Sequence, residues 1–141
     1  EMLWGLPSRD ADIFQIPLLK SETAIIDRPC LLLANEFGLV KRGKPVYTAI
    51  LTSDEPFFCI AAVWRPAHRL WPESFAALTV PAYDDLAPHK DRHVGVVRPD
   101  DWFDWLMGAR PPLDILRHFP KNSFSIMPPI QQNFDEMLGA A

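Results

Sequence analysis

The sequence offers few residues that could form a catalytic or metal-binding group, and they are widely spaced. His68, His89, His93 and His118 are scattered along the chain. Only His89 and His93 have the i, i+4 spacing that places two metal ligands on one face of a helix. Pro88 and the β-branched stretch after His93 disfavour a helix at this position. We therefore predict no metal site and no cofactor.

Cys30 and Cys59 are the only cysteines, and each lies inside an apolar run. Free cysteine packs in a core as a small hydrophobic residue, which is the interpretation we favour, although a disulfide between the two stays open. The sequence has no signal peptide and no run of about 18 apolar residues that could span a membrane. These features predict a cytoplasmic protein without a membrane partner.

The composition is that of one compact globular domain. Of the 141 residues, 48% are apolar and 23% are charged, which is too apolar for a disordered chain. Fifteen prolines favour short strands joined by shaped loops over long helices. The formal net charge of −4 disfavours a dedicated nucleic-acid binder, although a local basic face stays open.

Most of the predicted elements that could position a site are strands. Apolar, β-branched and aromatic runs predict strands, and the turn-like residues 53–56 predict that the second and third of them form a hairpin. A further short strand is expected at residues 124–127, whereas the apolar residues 1–6 should end in a turn at 7–10 and the tail 131–141 should be loose. The main predicted strands are residues 30–34, 45–52, 57–64, 75–80 and 93–97.

Two helices are predicted near the end of the chain. Asp100 and Asp101 suit the positive end of a helix dipole, so a helix is expected over residues 100–107 with its exit at Gly108. A second helix is expected over residues 111–118, with Leu113, Leu116 and Phe119 on one face. The predicted fold class is α+β and mostly β: a curled, largely antiparallel sheet or barrel with short flanking helices, in a single domain.

A series of short motifs occurs in the order found in one known family. The most specific are Ala-Pro-His-Lys-Asp-Arg at residues 87–92 and Asp-Trp-Phe-Asp-Trp-Leu at residues 101–106. They are similar to Ala-Pro-Ile-His-Asp-Arg and Asp-Trp-x-x-Trp-Leu of the SOS-response-associated peptidase family, whose members crosslink to abasic sites in single-stranded DNA. Weaker matches lie, in the same order, at residues 2–8, 20–23, 28–37, 44–47, 55–57 and 61–64.

This resemblance implies a barrel-like sheet with a groove for single-stranded DNA. The family's reaction closes a thiazolidine ring between an N-terminal cysteine and the abasic aldehyde, helped by an asparagine, a glutamate and a histidine. Leu18, Leu39 and Lys90 stand at the positions that match the last three. The chain opens at Glu1, inside what would be a later strand, so we expect the N-terminal part of the family domain, with its cysteine, to be missing.

Neighbouring residues are not expected to restore the lost groups. Glu36 and His89 lie close in sequence to the degenerate positions, but the alternation of side chains in a strand should turn them to the other face. Lys90 is interpreted as a solvated surface charge. The alternative is that its amine forms a Schiff base with an aldehyde, which would require a depressed pKa.

Five residues are candidates for contacts with DNA. Thr79 and Arg92 match DNA-facing positions of the family, and Lys20 and Lys90 replace two polar residues of its motifs. Arg92 would bind a phosphate, or alternatively pair with Asp91 or Asp84. Trp4 would stack on a base, although a core tryptophan is the interpretation favoured for a strand. The candidates are Trp4, Lys20, Thr79, Lys90 and Arg92.

Three functions are compatible with these observations. The first is a catalytically degenerate relative of the family that binds single-stranded DNA weakly. The second is a structural or partner-binding protein, perhaps of phage origin, that keeps the fold without any DNA activity. The third is a fragment of an active crosslinking enzyme whose cysteine precedes Glu1. The sequence predicts no particular oligomeric state.

Overall fold

The computed structural model describes residues 2–7 and 15–129, which fold into three β-sheets flanked by short helices. Helix α1 spans Trp102–Met107 after a 3-10 turn at Pro99–Asp101, and α2 spans Pro112–Ile115. The strands are β1 Leu3–Trp4, β2 Leu6–Pro7, β3 Gln15–Ile16, β4 Leu18–Lys20, β5 Pro29–Ala34, β6 Phe37–Leu39, β7 Tyr47–Leu51, β8 Phe58–Arg65, β9 Ser74–Pro81, β10 Arg92–Val94, β11 Val96–Val97 and β12 Phe124–Met127.

The largest sheet has seven strands and is organised around β8 and β9. These two strands pair antiparallel, with Ala62 opposite Ala77 and Val63 opposite Ala76. All four residues are fully buried, as expected for apolar runs that are covered on both faces. Strands β5 and β11 add antiparallel to β8, β10 adds antiparallel to β9, and β1 and β4 add parallel to β9.

The predicted hairpin between the second and third strands is wrong. Strand β7 belongs to a separate three-stranded sheet in the order β12-β7-β6, whereas β8 lies in the large sheet. Both edges of β7 are occupied, because Ala49 pairs with Phe37 of β6 and Leu51 pairs with Phe124 of β12. The segment between β7 and β8 therefore connects two sheets. The two sheets share an aromatic core in which Phe37 makes T-shaped contacts with Phe58 and Phe124.

The first predicted helix is confirmed. Its acidic start is a 3-10 turn, and the helix ends at Gly108, which has a φ of 62° in the left-handed region that favours glycine. Trp105 is buried and its indole Nε1 donates a hydrogen bond to the Cys30 carbonyl of β5 at 2.9 Å. Trp102 is half-buried. The helix thus packs on β5 through the motif that carries much of the family resemblance.

The second predicted helix is shorter than expected. It ends at Ile115, because Leu116 adopts φ −89° and ψ 39°, outside the helical region. Leu113 is exposed, while Ile115 and Leu116 are buried. The apolar face expected from helical spacing is therefore wrong. Between α2 and β12 the chain has no regular secondary structure.

The remaining strand predictions are confirmed at residues 30–34, 75–80, 93–97 and 124–127, with a break at Gly95 between β10 and β11. Pro7 lies in β2, opposite Gln15, rather than in a turn, and residues 8–10 and 131–141 lie outside the described residues. Cys30 and Cys59 are free thiols, so they form no disulfide. No helix in residues 2–7 and 15–129 is long and apolar enough to cross a membrane.

A single carboxylate fixes the start of the last strand. Asp85 accepts hydrogen bonds from the backbone N–H groups of Asn122, Ser123 and Phe124 at 2.9–3.1 Å. Burial opposes ionisation of Asp85, but these three bonds outweigh it and hold the pKa of the carboxyl below its ordinary value. Without this acceptor, three N–H groups beside the core would lose their partner.

We predict that Asp85→Ala lowers the free energy of unfolding by about 1–3 kcal/mol, since bonds to a charged acceptor are lost. Chemical denaturation measures the change, and Asp84→Ala is the matched control because Asp84 is an exposed neighbour. Equal stability of the two variants would show that the three hydrogen bonds do not stabilise the β12 segment.

Candidate functional site

A groove with a volume of about 1010 Å³ runs across one face of the large sheet. Its walls are mostly apolar and come from β4, β5, the stretch around β6, and β9. The segment that leads into β10 closes the other side with charged residues. The lining residues are Trp4, Pro17, Leu18, Leu31, Leu32, Leu33, Ala34, Glu36, Phe37, Gly38, Val40, Ile60, Phe75, Thr79, Lys90, Arg92, His93 and Val94.

Four of the five candidate DNA contacts lie together in this groove: Trp4, Thr79, Lys90 and Arg92. The fifth, Lys20, instead borders a separate cleft of about 540 Å³ on the chain's β2–β3 side. Segments that are far apart in sequence meet here because β1, β4 and β10 all pair with β9.

The three positions at which the family's catalytic residues are replaced also lie in different parts of the structure. Leu18 and Lys90 line the groove, and Leu18 is about half exposed there. Leu39 is 2% exposed and belongs to the core of the smaller sheet. A glutamate at position 39 of this fold would therefore place its carboxylate in the core rather than in the groove.

Arg92 is the most constrained cation of the groove. Its Nη1 and Nη2 atoms contact the two carboxylate oxygens of Glu22 at 3.0 Å, in a bidentate pair. Nη2 also donates to the Thr79 carbonyl at 2.9 Å, and Nε and Nη2 donate to Thr79 Oγ1 at 3.3 Å. The hydrogen bond from Arg92 and one from Ser21 hold the pKa of Glu22 below its ordinary value. The alternative interpretation, a pairing of Arg92 with Asp91 or Asp84, is wrong in its partner, because the carboxylate that Arg92 contacts is that of Glu22.

Lys90 is held by the backbone rather than extended into solvent. It is half-buried, and its Nζ donates a hydrogen bond to the carbonyl of Val40. This bond joins the segment before β10 to the residue after β6 across the rim of the groove. The interpretation of Lys90 as a solvated surface charge is therefore wrong, although the residue does line the groove.

The two neighbours of the degenerate positions behave differently. Glu36 lines the groove, contrary to the expectation that it points away, because it precedes β6 and the alternation of a strand does not apply to it. His89 does lie outside the groove, where its ring packs against Tyr47 with the centroids 4.6 Å apart. The groove thus contains a carboxylate as well as two cations.

Trp4 is an exposed aromatic platform, so the core interpretation is wrong. Its side chain is 53% exposed, since β1 has only two residues and lies at an edge of the sheet. The ring stacks on Phe75 with the centroids 5.7 Å apart and an interplanar angle of 22°. Nε1 donates to the Pro17 carbonyl at 2.9 Å. These contacts fix the ring while leaving half of its surface open to a planar ligand.

His93 forms the inner wall of the groove, and sequence reasoning missed this role. It is buried, its Nε2 accepts the backbone N–H of Tyr83 at 3.0 Å, and its Nδ1 lies 2.8 Å from the Val94 carbonyl. These partners fit a neutral ring with the proton on Nδ1. Burial lowers the pKa of His93, and the bond to Val94, which raises it, does not compensate. The signal that the sequence offers is the predicted strand over residues 93–97, which begins at His93.

We predict that His93 makes the fold sensitive to mild acid. A histidine whose pKa is depressed below 6.5 on folding binds more protons when unfolded, so its stabilising effect is lost as the pH falls through the folded value. Between about pH 7 and pH 5, wild-type protein should lose stability and His93→Gln should lose less. Thermal unfolding against pH measures this. His68→Gln, at an exposed position, is the control, and equal pH slopes for all three proteins would contradict the prediction.

No family model matches the sequence, and no curated protein is significantly similar to it. The crystal structure of a phage-related protein from Bordetella bronchiseptica is similar to this chain, with a TM-score of 0.66 and 21% sequence identity. The similarity covers 92% of this chain and 70% of that protein. The chain therefore shares the fold of a phage-related protein.

Proposed function

We propose that this domain is a catalytically degenerate relative of the SOS-response-associated peptidase family that binds single-stranded DNA weakly in its groove. The observation that carries the proposal is that Trp4, Thr79, Lys90 and Arg92 line one groove. They come from β1, β9, β10 and the segment before β10. An exposed aromatic ring beside two cations is the combination that unpaired nucleotides require.

The groove residues suit different parts of a nucleotide. A base stacks on the free face of Trp4, and the apolar wall around Leu18 and Phe75 excludes water from it; such stacking contributes about 1–3 kcal/mol per base. The Lys90 ammonium and the Arg92 guanidinium face the phosphates. Glu22 and Glu36 offset part of this positive charge, and the whole chain carries a net charge of −4, so the binding is weak.

The groove chemistry favours binding over covalent reaction. An alkyl side chain, Leu18, stands where the family resemblance implies an asparagine, and Lys90 stands where it implies a histidine. Cys30 and Cys59 do not line the groove. Burial raises the pKa of Cys30 to about 11 and also raises the pKa of Cys59, so both thiols stay protonated and weakly nucleophilic. We place the protein in the cytoplasm, where such thiols stay reduced.

A second candidate function is the binding of another protein. The groove walls expose Leu18, Leu33 and Val40, and Leu33 is 70% exposed. Apolar side chains of this kind suit a protein segment, and the shared fold with a phage-related protein favours a structural role in a phage-derived system. A third candidate, a piece of a crosslinking enzyme with its cysteine ahead of Glu1, is disfavoured by Leu39 and Lys90.

We predict measurable binding of a fluorescent single-stranded oligonucleotide at low salt. The affinity should fall steeply with salt because phosphate contacts release counterions. Arg92→Ala should weaken binding and reduce the slope of log K against log salt by about 0.7, the value for one phosphate contact with a single strand. Fluorescence anisotropy measures both quantities. Arg69→Ala is the control, because Arg69 is exposed and does not line the groove.

Two outcomes of this assay would change the proposal. If binding persists and Arg92→Ala has no effect, the DNA site is not in this groove. If no oligonucleotide binds at low salt, the protein-binding candidate replaces the DNA-binding one.

We predict that the chain forms no stable crosslink to an oligonucleotide with one abasic site. A thiazolidine needs an amine and a thiol on one residue, and the nitrogens of Cys30 and Cys59 are amides in the chain. Lys90 can give at most an imine, which water reverses. A denaturing gel with and without borohydride separates the cases. A borohydride-dependent band that Lys90→Ala removes would reveal a transient Schiff base, and a band without borohydride would contradict the prediction.

A further inference from the structure

The turn between β6 and β7 concentrates positive charge. Lys41, Arg42 and Lys44 are exposed, and we call these three residues the basic tip. Lys44 N–H donates to the Lys41 carbonyl at 3.1 Å, and Gly43 has a φ of 73°, so a tight turn holds the three side chains together. No aspartate or glutamate occurs from residue 37 to residue 53. In a chain with a net charge of −4, this is a local reversal of sign.

A pocket of about 330 Å³ lies at the base of the basic tip. Lys41 and Lys44 line one side, and Pro88 and His89 line the other. The rings of Tyr47 and His89, which pack against each other at an interplanar angle of 40°, also line the pocket. Among the described residues that line this pocket there is no carboxylate. The pocket therefore offers an anion two ammonium groups without a competing protein anion.

Residues that line the pocket are adjacent in sequence to residues that line the groove described above. Val40 lines the groove and the next residue, Lys41, lines the pocket. On the opposite side, His89 lines the pocket and Lys90 lines the groove. The hydrogen bond from Lys90 Nζ to the Val40 carbonyl ties these two sides together. The ammonium of Lys90 thus lies at the boundary between the two cavities.

We propose that the basic tip is a second phosphate-binding site, which holds the phosphodiester backbone of a single strand where it leaves the groove. This inference rests on the proposed function, because it extends the same path of phosphates from Arg92 and Lys90 to Lys41 and Lys44. Nucleic acid is favoured over an anionic membrane, because polybasic lipid-binding segments usually contain about 4–8 Lys or Arg residues and the tip has fewer. The site recognises the negative charge of the backbone and not the base sequence, because ammonium groups contact phosphates rather than base edges.

The test compares labelled oligothymidylates of about three and about twelve nucleotides, of which only the longer can fill both the groove and the tip. Lys41→Gln/Lys44→Gln should weaken binding of the longer strand about ten-fold at low salt and lower its salt slope by about 1.4, or about 0.7 per lost phosphate contact. Binding of the short strand should not change. The matched control is Arg69→Gln/Lys121→Gln, which removes the same charge from exposed positions outside both cavities. Thermal unfolding verifies that both double variants are folded.

The outcomes separate this site from the groove. If the longer strand binds the tip variant as well as it binds the wild type, or if both double variants lose affinity equally, the tip site is overturned while the groove can stand. If the short strand fails to bind but the longer strand binds in a tip-dependent way, the groove proposal fails and the tip site stands. If neither strand binds, both are overturned. Tip-dependent binding to phosphatidylserine vesicles with unchanged oligonucleotide affinity would assign the tip to lipid headgroups and overturn the phosphodiester proposal.

Discussion

The pairing of β8 with β9 is the contact on which the rest of the molecule depends. At its centre Ala62 lies opposite Ala77, and both alanines are fully buried. Strand β9 then carries the groove: β1 brings Trp4 to it, β10 brings Arg92, and Thr79 is its own residue. A shift of one residue in the register of β9 would turn Thr79 to the other face of the sheet, away from the groove. The geometry of the groove is therefore a consequence of core packing.

The elements that sequence reasoning found correctly are those whose signal is local. A continuous apolar run predicted β5, short apolar-rich stretches predicted β9 and β12, and the acidic start and Gly108 predicted α1. The predicted pairing of β7 with β8 was wrong, because β7 pairs instead with β6 and with β12, which lies more than 70 residues later in the chain. Contacts between distant residues were also out of reach: Arg92 meets Glu22 across 70 positions. The resemblance could thus name Trp4, Thr79, Lys90 and Arg92, but it could not name the partners that hold them.

Both cations of the groove are already hydrogen-bonded within the protein. Arg92 is held by Glu22 and Thr79, and Lys90 is held by the Val40 carbonyl. A ligand phosphate must therefore share these donors or displace them, which lowers the net gain from each contact. The same bonds hold the side chains in place before a ligand arrives, which lowers the entropic cost of binding. Under the proposed function, this arrangement makes the contact with a phosphate weak and reversible.

The outer edge of β5 affects how this domain behaves in concentrated solution. Strand β5 pairs with β8 on one side only among the described residues, so its other edge presents backbone groups on which a strand from another molecule can add. Helix α1 packs against this strand, and the Trp105 N–H occupies the Cys30 carbonyl. Farther along β5, Leu33 is 70% exposed. Loss of this short helix would therefore uncover more of a six-residue apolar strand and favour its pairing with another molecule.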